Sequence, residues 1–193
     1  SVNFTPNYLS NSQTSSSQLS VTQGSNTLNV NYQHNTRGNP THIQSATEDI
    51  SIVYDAQHPD LPQLVTDNLS GITRQFSYDN NGNITYKAVV SNGLAISETN
   101  TYSAFNLVDT HTDPNGNSTH YIYDNQGNVL KIEEPNQVNT FFTYNTNGNT
   151  VSKISPVGDT LSYSYNSYGN LSSVSQSGSG AVAYAYYDLD SRI

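Results

Sequence analysis

The 193-residue sequence has no cysteine, no methionine and no tryptophan, and sets only six basic residues against fifteen acidic ones. The absence of cysteine excludes disulfides and thiolate metal sites. With no methionine, residue 1 is not a translation start, so the chain is expected to be a processed form or a piece of a longer polypeptide. A net charge of −9 cannot neutralise a phosphate backbone, which excludes nucleic acid and disfavours anionic membrane surfaces. No apolar run approaches the ~18–20 residues that span a bilayer, so no membrane insertion is expected. The first residues lack the basic flank and apolar centre of a signal peptide. No stretch carries an apolar 3.6-residue period of helical length. With 33% hydrophobic and 11% charged residues, uncharged polar side chains must cover most of the surface.

What the chain does have is tyrosine on a ruler. Nine of its fifteen tyrosines, Tyr8, Tyr32, Tyr54, Tyr78, Tyr102, Tyr123, Tyr144, Tyr165 and Tyr187, follow one another at steps of 24, 22, 24, 24, 21, 21, 21 and 22 residues. A fixed period in this range is the signature of an array of small supersecondary units. Four copies share more than the tyrosine: Gly82, Gly127, Gly148 and Gly169 each lie four residues after it, and asparagine follows each glycine. A second set, Gly93, Gly116 and Gly158, lies 15, 14 and 14 residues after its tyrosines.

Each unit reads as turn, strand, turn, strand. In YDNQGNVLKIEEPNQVNTFFT, residues 123–143, Asp124 to Gly127 suit a tight turn because Asp, Asn and Gly tolerate positive φ and bond to nearby backbone. Val129 to Ile132 is β-prone, Glu134-Pro-Asn-Gln137 breaks it, and Thr140 to Tyr144 is β-prone again. Asn92-Gly93 and Asn115-Gly116 are hairpin-turn dipeptides. The residue two before the tyrosine is apolar in most copies (Val30, Ile52, Phe76, Tyr121, Phe142, Tyr163, Ala185), which a period of two puts on the tyrosine's face. The expected fold is all-β: an array of β-hairpin repeats of 21–24 residues forming one long, coiled antiparallel sheet, with the tyrosines stacked between hairpins as an aromatic ladder. Residues 1–31 are expected to be a degenerate N-terminal cap or arm. Residues 32–193 are expected to be the repeats, truncated within the last one.

Tyr-Asp-x-x-Gly-Asn followed by two short strands, closest at residues 78–83 and 123–128 and echoed by Tyr187-Asp188, resembles the YD repeat of the RHS family. The resemblance covers roughly residues 32–193. It implies hairpins joined edge to edge into a long sheet that spirals into a hollow shell, as in Rhs polymorphic toxins, the shells of insecticidal Tc toxins, wall-associated proteins and teneurins. It further implies an extracellular, secreted or surface location, with the remaining repeats of the same polypeptide as partners. About eight units fall short of a closed shell, so an arc or short spiral is expected.

No candidate chemistry stands apart from the repeat. His34, His42, His58, His111 and His120 lack metal-ligand spacing, although His111 and His120 sit on opposite arms of one hairpin. Asp-Asn-Asn-Gly-Asn (79–83) and Asp-Pro-Asn-Gly-Asn (113–117) have glycine fourth rather than sixth, unlike an EF-hand. Asp113-Pro114-Asn115-Gly116 resembles the Asp-Pro-x-Gly found where Rhs shells carry their autoprotease, but Gly116 falls at the regular second turn. Glu133 and Glu134 face opposite sides of a strand, and no nucleophile elbow or phosphate loop occurs. An enzyme is not expected, nor a catalytic, cofactor or metal site. The structural repeat positions are Tyr54, Tyr78, Gly82, Tyr102, Gly116, Tyr123, Gly127, Tyr144, Gly148, Tyr165, Gly169 and Tyr187. The alternative function is a carbohydrate-binding or adhesion module, with glycans or a surface partner met by the off-phase Tyr86 and Tyr168 through ring stacking.

Overall fold

The computed structural model describes residues 2–7, 15–23, 25–178 and 182–183; Tyr8 and Tyr187 lie outside them. The chain divides into two compact units, Ser1–Thr99 and Asn100–Ile193. The first holds β1 (Val2–Asn7), β2 (Ser15–Gln23), β3 (Asn26–His34), β4 (Pro40–Gln44), β5 (Asp49–Tyr54), β6 (Pro62–Asp67), β7 (Ile72–Tyr78), β8 (Ile84–Ser91) and most of β9 (Leu94–Tyr102). The second holds β10 (Val108–Thr112), β11 (Ser118–Tyr123), β12 (Val129–Glu134), β13 (Val138–Tyr144), β14 (Thr150–Ile154), β15 (Thr160–Tyr165), β16 (Leu171–Gln176) and β17 (Val182–Ala183). Within each unit every strand pairs antiparallel with the next in sequence, without crossover. The fold is an all-β array of hairpins. Its one helical feature among the described residues is a single 3₁₀ turn, Pro135–Gln137.

The alternation seen in the sequence sorts side chains onto two faces. In the second unit Tyr121 lies opposite Ile132, Tyr123 opposite Val129, Tyr163 opposite Val174 and Tyr165 opposite Leu171. The other face carries the cross-strand pairs Ser152–Ser162, Ser162–Ser175 and Ser164–Ser173. Two lysines shield aromatic rings: Lys131 Nζ lies 5.4 Å from the Phe141 centroid and Lys153 Nζ 5.9 Å from that of Phe142. Ala88, 4% exposed, is the one buried side chain among the described residues. Stability therefore rests on half-buried cross-strand pairs, each worth about 0.2–1 kcal/mol, and on the backbone ladder.

Two expectations change. The ruler tyrosines do not stack on one another. A whole strand separates each from the next, a distance of about 9.6 Å at the normal strand spacing, and a ring cannot bridge it. The ring contacts instead run along a strand, as for Tyr121 and Tyr123 with centroids 6.5 Å apart. At the first copy, His34 rather than Tyr32 occupies the ruler position: His34 pairs with Pro40 at the register shift where later copies have tyrosine. Gly38 then lies four residues after it, at φ +86. The 1–31 segment supplies β1, β2 and most of β3, and β2 pairs with β3 along nine residues.

Candidate functional site, the tyrosine-anchored turns

Eight turns share one backbone pattern, starting at residues 35, 79, 103, 113, 124, 145, 155 and 166. In each, the first N–H donates to the carbonyl four residues on at 2.8–2.9 Å, and the fourth N–H donates back to the first carbonyl at 2.9–3.1 Å. This is a type I turn followed by a left-handed residue that forms a G1 bulge. The left-handed residue is glycine in seven turns, with Gly82, Gly127, Gly148 and Gly169 at φ +83, +85, +80 and +84 as the sequence leads one to expect. In the copy at Tyr102 it is Asn106, at φ +59. Asn115-Gly116 makes the same turn, so it is not the two-residue hairpin its dipeptide suggests. Asn92-Gly93, at φ +51 and +78, is the two-residue type.

The first residue of each turn holds it closed with its side chain. Asp124 Oδ1 accepts the N–H groups of Gln126 and Asn128 at 2.8 and 2.9 Å, and Oδ2 accepts Asn128 Nδ2 at 2.8 Å. Asp79 and Asp113 repeat the pattern with Asn83 and Asn117. These bonds, the asparagine side-chain amide first, hold the three carboxyls below their ordinary range. Asn145 and Asn166 supply the two backbone contacts with an amide oxygen instead. The carboxylates are turned into their own turns, and among the described residues no cluster of His, Asp or Glu is arranged to hold a metal. His111 and His120 do not meet: they pair with Thr119 and Thr110, on opposite faces, and bond Asn100 Oδ1 and Thr110 Oγ1. Glu133 is engaged by Lys131.

The tyrosines link one hairpin to the next. Tyr54 Oη donates to Pro40 O at 2.8 Å, Tyr78 to Pro62 O at 2.6 Å, and Tyr123 to Val108 O at 2.6 Å. Tyr144 donates to Val129 O at 2.8 Å and Tyr165 to Thr150 O at 2.7 Å. In every case the acceptor is the first residue of the preceding strand. The strand ladders explain why it is available. The β12–β13 pairing stops at Lys131–Phe141, two residues short of Val129, and β14–β15 stops at Ser152–Ser162, two short of Thr150. The sheet opens at this end between hairpins, and the phenol spans the gap. Partial burial there raises the pKa of these five hydroxyls above 10.0. Tyr102, at the end of β9, is also bonded.

Successive turns touch as well. A Cβ on Gly127 would sit 3.3 Å from Leu107 Cδ1 of the preceding turn, and one on Gly82 would sit 3.4 Å from Leu61 Cδ1. Where Pro59 and Pro62 replace the regular turn, Arg37 makes a two-pronged ion pair with Asp60 at 2.9 Å, and Asn39 Nδ2 reaches Asp60 at 2.6 Å. These partners hold the Asp60 carboxyl at about 2. His58 bridges Asp55 Oδ1 at 3.0 Å and Asn80 O at 3.3 Å, beside the Tyr78 ring. Gly116 lies in a second turn, at φ +82 with open space around it. Tyr168 projects from its turn at 80% exposure, whereas Tyr86 is half-buried between Ser77 and Thr99.

The tyrosine-to-carbonyl links, the His34 substitution and Asn106 were not read from the sequence. The four-residue offset to the left-handed position was the available signal for the last two.

No curated protein matches the sequence. The family model described as RHS Repeat matches residues 102–138 and 144–182. Among solved structures, a crystal structure of TcdB2-TccC3-TEV is similar at 12% identity and a TM-score of 0.62, over 96% of this chain and 12% of that one. The Photorhabdus luminescens Tc holotoxin pore is similar at 11% identity over 91% of this chain and 14% of that one, with a TM-score of 0.47. The chain thus spans about an eighth of the length of the structures it matches, and the first likeness shows a shared fold. Residues 102–138 and 144–182 thus carry the RHS, or YD, repeat.

Proposed function

We propose that this chain is a load-carrying wall segment of a larger secreted or surface-displayed protein, built as a toxin-encapsulating shell is built, and that it has no catalytic role of its own. Tyr54, Tyr78, Tyr102, Tyr123, Tyr144, Tyr165 and Tyr187, with Gly82, Gly116, Gly127, Gly148 and Gly169, are its repeat-defining positions, and residues 32–193 are the repeat region. The observation that carries this reading is the series of five phenol-to-carbonyl links, each tying a hairpin to its predecessor. Side chains that a binding protein would offer to a ligand are here spent on neighbouring repeats. The partners are accordingly further repeats of the same polypeptide, and the location is extracellular. The likeness to Tc toxin structures supports the shell form as an analogy of fold.

Electron microscopy of the full-length parent protein tests this directly: a hollow wall is expected, and a solid globule overturns it. A second reading, glycan or cell-surface binding, is favoured by the Tyr168 ring, which stands 80% exposed among amide side chains. A glycan array with Tyr168→Ala as control separates the two. The wall reading expects no binding that depends on Tyr168.

A further inference from the structure

The chain contains four Asn-Gly pairs: Asn81-Gly82, Asn92-Gly93, Asn115-Gly116 and Asn147-Gly148. Asn-Gly is the dipeptide most open to self-deamidation, because glycine leaves its own amide nitrogen unshielded. That nitrogen attacks the asparagine side-chain carbonyl carbon. The new N–Cγ bond closes a succinimide ring, the Cγ–Nδ2 bond breaks, and ammonia leaves with the proton. Water then opens the ring at either carbonyl, giving aspartate or isoaspartate.

Three of the pairs are held against this reaction. The Gly82, Gly116 and Gly148 N–H groups each donate to the carbonyl three residues back at 3.0 Å. The N–H groups of Asn81, Asn115 and Asn147 are each fixed by the first side chain of the turn, at 2.9, 2.8 and 3.0 Å. Attack requires the Asn–Gly peptide to rotate, which breaks the glycine N–H bond directly, while the bond to the asparagine N–H holds in place the residue about which it must turn. Asn92-Gly93 differs. It is the whole of a two-residue turn between Ser91 and Leu94, and among the described residues no such backbone bond holds the Gly93 N–H. A Cβ on Gly93 would meet nothing within 4 Å, and Leu94 beside it is 77% exposed. Water and base reach this amide freely.

We propose that Asn92 is a built-in deamidation site of this protein, while the repeat turns protect the other three Asn-Gly pairs. Conversion to isoaspartate inserts an extra methylene into the backbone of a two-residue loop that has no slack. It also adds a negative charge at the tip of the β8–β9 hairpin.

The test is peptide mapping by mass spectrometry of the folded chain, aged at mildly alkaline pH, with isoaspartate quantified at all four sites. Asn92 is expected to convert at least about ten-fold faster than the rest, since two hydrogen bonds restrain each of the others. A parallel sample aged in denaturant should show the four rates converging. Folded rates that agree within about two-fold, or an Asn92 excess that persists in denaturant, would overturn the proposal.

Discussion

Removing one oxygen, by Tyr123→Phe, isolates the link between hairpins from everything else the residue does. The ring remains, with its contact to Tyr121 at 6.5 Å and its place opposite Val129. What is lost is the 2.6 Å hydrogen bond to Val108 O, at a point where the strand ladder has already opened. A hydrogen bond of this kind contributes about 0.5–1.5 kcal/mol net, and a buried acceptor left without a donor costs more. Val108 is only half-buried, so water recovers part of the loss and about 1 kcal/mol is expected. For a chain of this size that corresponds to a fall in Tm of roughly 2–4 °C, readable by circular dichroism against Tyr168→Phe, whose ring is exposed and which should not move. Tyr144→Phe and Tyr165→Phe should match it, since their bonds are equivalent at 2.8 and 2.7 Å. If Tyr123→Phe melts with the wild type, the phenol-to-carbonyl link is not what holds neighbouring hairpins together.

Gly127→Val should cost about 2 kcal/mol, from left-handed φ and from Leu107 Cδ1 at 3.3 Å; Gly158→Val, with nothing within 4 Å, should suffer the backbone strain alone and lose less in a thermal melt. Asp124→Asn should lower Tm only slightly, since it keeps the two backbone contacts as asparagine does at 145 and 166 but loses the bond from Asn128 Nδ2, whereas Asp124→Ala should lower it further by also freeing two backbone N–H groups. Stability should fall as pH drops below 3.8 towards 2: the Asp60 carboxyl is depressed to about 2 by Arg37 and Asn39, so its contribution is full above the unfolded value and disappears through the folded one. At the other end, the raised tyrosines lose their contribution as pH climbs past 10.0, so ionisation followed by ultraviolet absorbance should coincide with unfolding.

The spacing of Tyr, Gly and Asn made the hairpin array legible because turn chemistry is local: a left-handed position needs glycine or asparagine wherever it occurs. The same logic failed at Tyr32, where the tyrosine ruler outweighed the glycine offset and hid His34. The link from Tyr144 to Val129 could not be read at all, for it joins residues 15 apart across an opened ladder. Nothing in a one-dimensional pattern records where a strand pairing stops. The aromatic ladder was a reasonable inference from in-phase rings, but it overlooked the strand that separates one tyrosine from the next. Asp113-Pro114 read correctly as a turn because its glycine kept the period.

The scarcity of buried side chains has a thermodynamic consequence. Both the heat-capacity change of unfolding and the denaturant slope scale with the apolar surface that unfolding exposes. With Ala88 alone shut away from water among the described residues, both should be small per residue. The free energy of unfolding then varies little with temperature, tracing a low, broad curve rather than a steep dome. Such a sheet loosens gradually over a wide range of heat or urea, and cooling weakens it less than it weakens a protein built around a dry centre.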